Sequence, residues 1–327
     1  MYNICKSFLK GTPKNTENTM TKIFIDGSAG TTGLRIYERI GHRADLELIR
    51  LPEELRKDPN ARREALFAAD IAFLCLPDAA AIEAVALAEG SSVKIIDTST
   101  AHRCAPGWVY GFPEIGGRRE MIANASRIAN PGCHASGFIA LVAPLVSAGM
   151  LDAEAVLSCF SLTGYSGGGK SMIADYEDPA RDHLLDAPRQ YGLSQKHKHL
   201  PEMAAVTGMK NDPLFCPIVG DFYAGMEVTV PLAKSQLRGT ADDIRALYRE
   251  AYASGLVRYS ENADEGAFLS AAKFAGRDDM EVRVEGNDER ILLVARYDNL
   301  GKGASGAAIQ NMNILLGCDE AESLVVG

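Results

Sequence analysis

The run KIFIDGSAGTTG, residues 22–33, constrains this chain more than any other feature. Residues 22–26 have strand character, and Gly27, Gly30 and Gly33 punctuate a turn that also holds Ser28, Ala29, Thr31 and Thr32. Apolar residues at 34, 36, 37 and 40 then share one face of a helix predicted over 32–40. In such a strand-turn-helix, glycines let the backbone approach a pyrophosphate, and the helix N-terminus supplies amide donors and a positive dipole end. The spacing departs from G-x-G-x-x-G, and a tight turn without a ligand has the same appearance. The pattern of the next 60 or so residues favours the dinucleotide reading. Strands are expected at 46–51, 70–76 and 93–97, and helices at 61–69 and 79–88. This alternation predicts an α/β fold with a doubly wound parallel sheet.

The 327 residues are too many for one typical core and fit two domains. A net charge of -9, with no basic stripe interleaved with aromatics, excludes a general nucleic-acid or membrane-surface binder. No apolar run reaches the roughly 18 residues of a membrane span, so no membrane partner is expected. Seven scattered cysteines without a CxxC argue against a disulfide framework and for a reducing, cytoplasmic setting. Residues 1–19 are polar, lack a signal peptide's apolar stretch and precede a second Met at position 20. They are expected to be a disordered extension or the product of a misplaced start codon.

After about residue 131 the pattern changes to helices at 135–148, 241–253 and 305–316 and strands at 155–163, 226–232, 281–285 and 290–296, with a loop-rich region from 178 to 217. The last two strands read as a hairpin turning at Gly286-Asn287-Asp288. No Pro/Gly/Ser-rich linker separates the halves, so they should share a substantial interface.

Four further segments bear chemistry. In NPGCH, residues 130–134, Cys133 stands between a Pro-Gly turn and a helix start, where the dipole lowers a thiol's pKa. A free cysteine is otherwise often a small buried hydrophobe. In KHKHLPE, residues 196–202, His197 and His199 offer the acid/base that a thiolate nucleophile requires. A solvated charge run and an HxH metal pair are the alternatives, and no third metal ligand has convincing spacing, so no metal is expected. In TGYSGGGK, residues 163–170, Ser166, Gly167 and Lys170 suit an anion nest, or a mobile glycine loop. In residues 298–313, Gly301, Gly303 and Gly306 precede a helix that docks on the first domain. Arg50 stands where NAD sites place an acid at the end of the second strand, although Glu53 and Glu54 follow closely. An arginine there suits the 2'-phosphate of NADP, or is a solvated surface residue.

Together these motifs, with DTSTAHR at 97–103 and YGFPE at 110–114, resemble the N-acetyl-gamma-glutamyl-phosphate reductases, most closely the short second type, over residues 20–317. The resemblance implies the plan of the related aspartate-semialdehyde and glyceraldehyde-phosphate dehydrogenases. That plan has an NADP-binding Rossmann domain (20–132), an α+β catalytic and oligomerisation domain (133–297), and a C-terminal helix returning to the first (298–327). It further implies an NADPH-dependent reductase of arginine biosynthesis acting through a thioester on Cys133, with His197 as acid/base. It places the anionic substrate on His199, Arg103, Ser166 and Lys170. It places NADP on residues 27–33, Arg50, Pro77, Ser99, Gly167, Gly303 and Asn311. The partners implied are a small anionic substrate, phosphate and a second copy, as homodimer or homotetramer. An aspartate-semialdehyde dehydrogenase and a non-catalytic NADP-binding regulator are the competing readings.

Overall fold

The computed structural model describes residues 20–261 and 265–327. The extension expected at 1–19 lies outside the described residues.

The first half builds a six-stranded, wholly parallel sheet from Thr21–Asp26 (β1), Leu46–Ile49 (β2), Ile71–Leu74 (β3), Lys94–Asp97 (β4), Val109–Tyr110 (β5) and Arg127–Ala129 (β6), in the order β2-β1-β3-β4-β6-β5. Thr31–Ile40 (α1), Pro59–Ala68 (α2), Asp78–Leu87 (α3) and Arg118–Ala123 (α4) connect these strands. β1 and β3 are buried along nearly their whole length, as parallel strands covered on both faces must be. Helix α2 starts where Pro59 follows the N-cap Asp58, whose carboxylate accepts from Ala61 N at 2.8 Å. The chain runs from β1 out to β2 and back across to β3. The strand order therefore reverses beside β1, the place where open α/β sheets bind ligands.

The second half opens with Cys133–Ser147 (α5). Ser158–Gly164 (β7), Gly169–Glu177 (α6), Arg189–Gln190 (β8), Leu200–Thr207 (α7), Leu214–Gly220 (β9), Met226–Ala233 (β10), Ala241–Ala251 (α8), Val257–Tyr259 (β11), Met280–Asn287 (β12) and Arg290–Tyr297 (β13) complete it. The strands form a mixed seven-stranded sheet, β11-β12-β13-β10-β7-β9-β8. Helices α5 and α8 cover one face, and the core there includes Phe138, Leu141, Val228, Leu293 and Tyr248. The opposite face leaves Phe160, Leu214 and Leu292 exposed. A π-helical turn, Gly301–Ser305, leads into Gly306–Leu316 (α9), whose Ile309 and Met312 pack with Ile23, Ile36 and Phe73 beneath the first sheet.

The region 178–217, expected to be loop, contains β8, α7 and the start of β9. Two prolines obscure them in the sequence. Pro201 occupies the first turn of α7, where a missing amide is harmless. Pro217 lies in β9 next to the two-residue strand β8, whose neighbour Tyr191 donates its amide to the Pro217 carbonyl at 3.0 Å.

Candidate active site

Cys133 is the first residue of α5 and stands partly exposed on the wall of a cavity of about 390 Å³. The N-cap Gly132 provides no side-chain cap, so the amides of the first turn remain free of one. Tyr297 fixes that turn. Its hydroxyl donates to Cys133 O at 2.6 Å and accepts from Gly137 N at 3.0 Å. Gly303 of the π-turn packs on the cysteine so closely that a Cβ there would stand 3.1 Å from Cys133 Cβ. The thiol departs from the expected low pKa. Burial pushes it up, and that outweighs the Arg103 charge, the His134 amide and Lys198, all of which favour thiolate.

Three imidazoles, not two, surround the thiol cavity. The rings of His134, His197 and His199 lie 4.8 to 5.5 Å apart, and all three line it. His134 is fully engaged, with Nδ1 on Ser161 Oγ at 2.7 Å and Nε2 on the Tyr191 hydroxyl at 2.6 Å. His197 Nδ1 accepts from His199 N at 3.2 Å, which leaves its Nε2 open. His199 is buried, with Nδ1 unpartnered among the described residues and Nε2 4.0 Å from Glu202 Oε1. Burial, reinforced by neighbouring positive charge, holds His197 down to about 4 and His134 to about 3, and depresses His199 strongly. All three are therefore neutral at pH 7, and a neutral imidazole is the form that accepts a proton. Among the described residues no group of three or more His, Cys, Asp or Glu is arranged to hold a metal ion.

Arg103 lines the same cavity but is engaged by the protein. Nε donates to Asn130 O, Nη2 to Thr98 O, and Nη1 lies 2.5 Å from Glu202 Oε1. Its charge is matched by Glu202 within the protein.

Two further cavities continue along the carboxyl edge of the first sheet. One, of about 410 Å³, runs between Gly30–Thr32 and Pro77, Thr98 and Ser99, and Thr31 and Thr32 also line the thiol cavity. The other, of about 550 Å³, lies beside Gly27, Ser28, Ala29 and Arg50. Gly27 has φ +86°, and a Cβ there would run into the Cys75 carbonyl. A Cβ on Gly33 would press on Gly27 O at 2.5 Å, so this glycine lets α1 pack against the turn. The first turn of α1 carries no acidic residue, and Arg50, Arg56, Lys57 and Lys170 gather at the larger cavity. These residues fit an elongated dianionic dinucleotide.

A model of the semialdehyde dehydrogenase NAD binding domain matches residues 28–125, and one of the semialdehyde dehydrogenase dimerisation domain matches residues 133–299. An N-acetyl-gamma-glutamyl-phosphate reductase of Brucella ovis is 49% identical over 306 residues, covering 90% of this chain and 99% of the relative. N-acetyl-gamma-glutamyl-phosphate reductase 2 of a Nostoc species is 46% identical over 314 residues, covering 91% and 98%. The chain belongs to the N-acetyl-gamma-glutamyl-phosphate reductase family. Aspartate semialdehyde dehydrogenase II of Vibrio cholerae shares the fold, with a TM-score of 0.69 at 17% identity over 91% of this chain and 99% of that one. An aspartate semialdehyde dehydrogenase of Candida albicans, solved with NADP, gives 0.64 at 14%, again over 91% and 99%.

As a member of this family the chain carries a nicotinamide-dinucleotide-binding domain and a dimerisation domain. The predicted residues divide among the cavities in a way the motifs do not reveal. Cys133, His197, His199, Ser166, Gly167 and Gly303 do meet at the thiol cavity, where Ser166 Oγ accepts from Asn299 Nδ2 at 3.0 Å. Lys170, expected on the substrate, instead lines the cavity of Ser28 and Arg50, because α6 begins at Gly169 and carries it away from the thiol. Ser99 borders the middle cavity with its hydroxyl committed to Asp97 at 2.7 Å. Asn311 lines none of the three. Its amide donates to Gly111 O and Asn130 Oδ1, and Asn130 lines the thiol cavity. His134, Tyr191 and Lys198 line the thiol cavity although no motif singles them out. His134 is adjacent to Cys133 in NPGCH and is the most accessible of the three to sequence reasoning.

Proposed function

We propose that this chain reduces N-acetyl-L-glutamyl 5-phosphate to N-acetyl-L-glutamate 5-semialdehyde with NADPH, a step of arginine biosynthesis, through a thioester on Cys133. The observation that carries the reading is that one cavity holds both Cys133 with His197 and the Thr31-Thr32 end of the glycine turn. A nucleotide on that turn and an acyl group on that sulfur would therefore meet. Family membership supports the choice of substrate.

In this mechanism Cys133 Sγ attacks the acyl carbon while His197 Nε2 takes the thiol proton. The C–S bond forms, the carbon–oxygen bond to phosphate breaks, and phosphate leaves with the electron pair. The raised thiol and depressed imidazole mean that both partners rest neutral, and the proton moves as attack proceeds. Free amides of the first turn of α5 hold the carbonyl oxygen as it gains charge. His199 meets an anionic group of the substrate. NADPH, when bound, supplies the hydride that reduces the thioester. Gly27–Gly33, Pro77 and Ser99 cradle the dinucleotide, and Arg50 with Lys170 meets its adenosine 2'-phosphate. The chain divides at 132/133 and 297/298. The exposed Phe160, Leu214 and Leu292 face of the second sheet joins two copies in a cytosolic homodimer.

The test is phosphate-dependent NADP reduction with N-acetyl-glutamate semialdehyde and, in parallel, aspartate semialdehyde. Turnover with the first and a kcat/KM lower by orders of magnitude with the second is expected. Preference for aspartate semialdehyde, or no turnover with either, refutes the proposal.

A further inference from the structure

Lys198 stands between the two motif histidines and is exposed. It borders the thiol cavity, the cavity at Gly30–Thr32, and another of about 320 Å³ beside Thr100, Cys104 and Glu202. No hydrogen bond or ion pair engages it among the described residues. The remaining charges at the thiol cavity cancel. Arg103 is paired with Glu202, and His134, His197 and His199 are neutral at pH 7. Asp78 shares the Gly30–Thr32 cavity with Lys198. Its carboxylate is taken up by Thr100, which donates from both its amide at 2.9 Å and its hydroxyl. Lys198 is thus the one cation lining the thiol cavity, among the described residues, whose charge no carboxylate neutralises at contact distance.

We propose that Lys198 is the phosphate-binding residue of the reaction, receiving the acyl phosphate's phosphoryl group and escorting the released phosphate ion. This rests on the function proposed above. In that reaction the acyl carbon that bonds to Sγ is the carbon that releases phosphate, so the leaving group departs within a few ångströms of the sulfur. Lys198 and Cys133 line the same cavity, so the phosphate released at the sulfur departs into the space that the ammonium borders. A compact ammonium with three donors and no fixed partner suits a group that binds, turns and leaves. Arg103, held by Glu202 and two carbonyls, positions the wall behind it. The openings of the other two cavities beside Lys198 provide the exit.

The reverse reaction separates the ligands. With inorganic phosphate, NADP and N-acetyl-glutamate semialdehyde, Lys198→Met should raise KM for phosphate roughly 10- to 100-fold, the loss of one charge-assisted contact. KM for semialdehyde and for NADP should stay within about 2-fold, and Lys198→Arg should recover most of the phosphate affinity. An unchanged KM for phosphate overturns the proposal, as does a rise confined to semialdehyde or NADP. If Lys198→Met does not turn over, protection of Cys133 from iodoacetamide by inorganic phosphate gives the same reading. The variant should need at least about 10-fold more phosphate than wild type, and equal protection overturns the assignment. Wild type that lacks turnover with this semialdehyde refutes the proposed substrate. The phosphate protection experiment still decides the role of Lys198 in that case.

Discussion

Arg103 Nη1 lies 2.5 Å from Glu202 Oε1, joining the segment after β4 to the first turn of α7 beside the thiol cavity. The other carboxylate oxygen accepts from the Tyr110 hydroxyl at 2.6 Å and from Gly132 N at 3.1 Å. One buried acid therefore holds the first domain, the second domain and the residue before Cys133. There is no room to rearrange, since a Cβ on Gly132 would strike Arg103, Glu202 and His199.

Glu202→Gln leaves the Arg103 charge buried without its partner. The expected loss is about 3–5 kcal/mol of stability, with a marked fall in Tm. Arg103→Met combined with Glu202→Gln should restore part of it. An unchanged Tm in the single variant would mean that water, not Glu202, solvates Arg103.

Arg50 lies over the Tyr37 ring at 4.5 Å and faces the cavity of Ser28 and Lys170. Arg50→Ala should weaken NADP binding by about 1.5–3 kcal/mol and NAD binding much less. Calorimetric titration with both nucleotides measures this, and equal losses would remove Arg50 from the 2'-phosphate.

The three imidazoles make stability depend on pH. Their folded pKa values lie below the ordinary 6.5, at about 4 for His197 and about 3 for His134. Between those values the unfolded chain binds protons that the fold refuses. The stabilisation is complete above about pH 6.5 and declines as pH falls toward 4, and further toward 3 for His134, by up to about 1.4 kcal/mol per pH unit for each histidine. The decline of Tm from pH 7 to pH 4.5 should be shallower in His134→Gln than in wild type. Parallel profiles would show that His134 does not stay neutral.

His197→Asn keeps the thiol and the fold but removes the proton acceptor. Thioester formation and its reverse should slow by about 10²–10⁴, read by stopped-flow release of phosphate. If His199→Asn shows this loss and His197→Asn does not, the two roles are exchanged.

The parallel sheet and the thiol are legible in the sequence because each is encoded locally. Gly27 is forced by its own positive φ and the nearby Cys75 carbonyl, and Cys133 by the Pro-Gly turn before a helix. What escapes depends on contacts distant in sequence. The hydroxyl that takes His134 Nε2 belongs to Tyr191, 57 residues on, and Glu202 meets Arg103 from 99 residues away. Lys170 escapes for a related reason. A glycine loop before a lysine is recognisable as an anion site, but which anion it faces is set by the direction of α6. The thiol's raised pKa is equally invisible, because the dipole of a helix start can be read from sequence and the depth of its burial cannot.

In the proposed reaction the acyl group passes through Cys133, and trapping it there is the most direct test. Mixing the enzyme with N-acetyl-L-glutamyl 5-phosphate without NADPH and digesting it should yield one acylated peptide, containing Cys133, with release of an equivalent of phosphate. Cys133→Ser should fold, bind NADP, yield no such peptide and lose turnover by several orders of magnitude. An acyl group on Cys75, Cys104 or another cysteine, or near-normal turnover in Cys133→Ser, would contradict the mechanism.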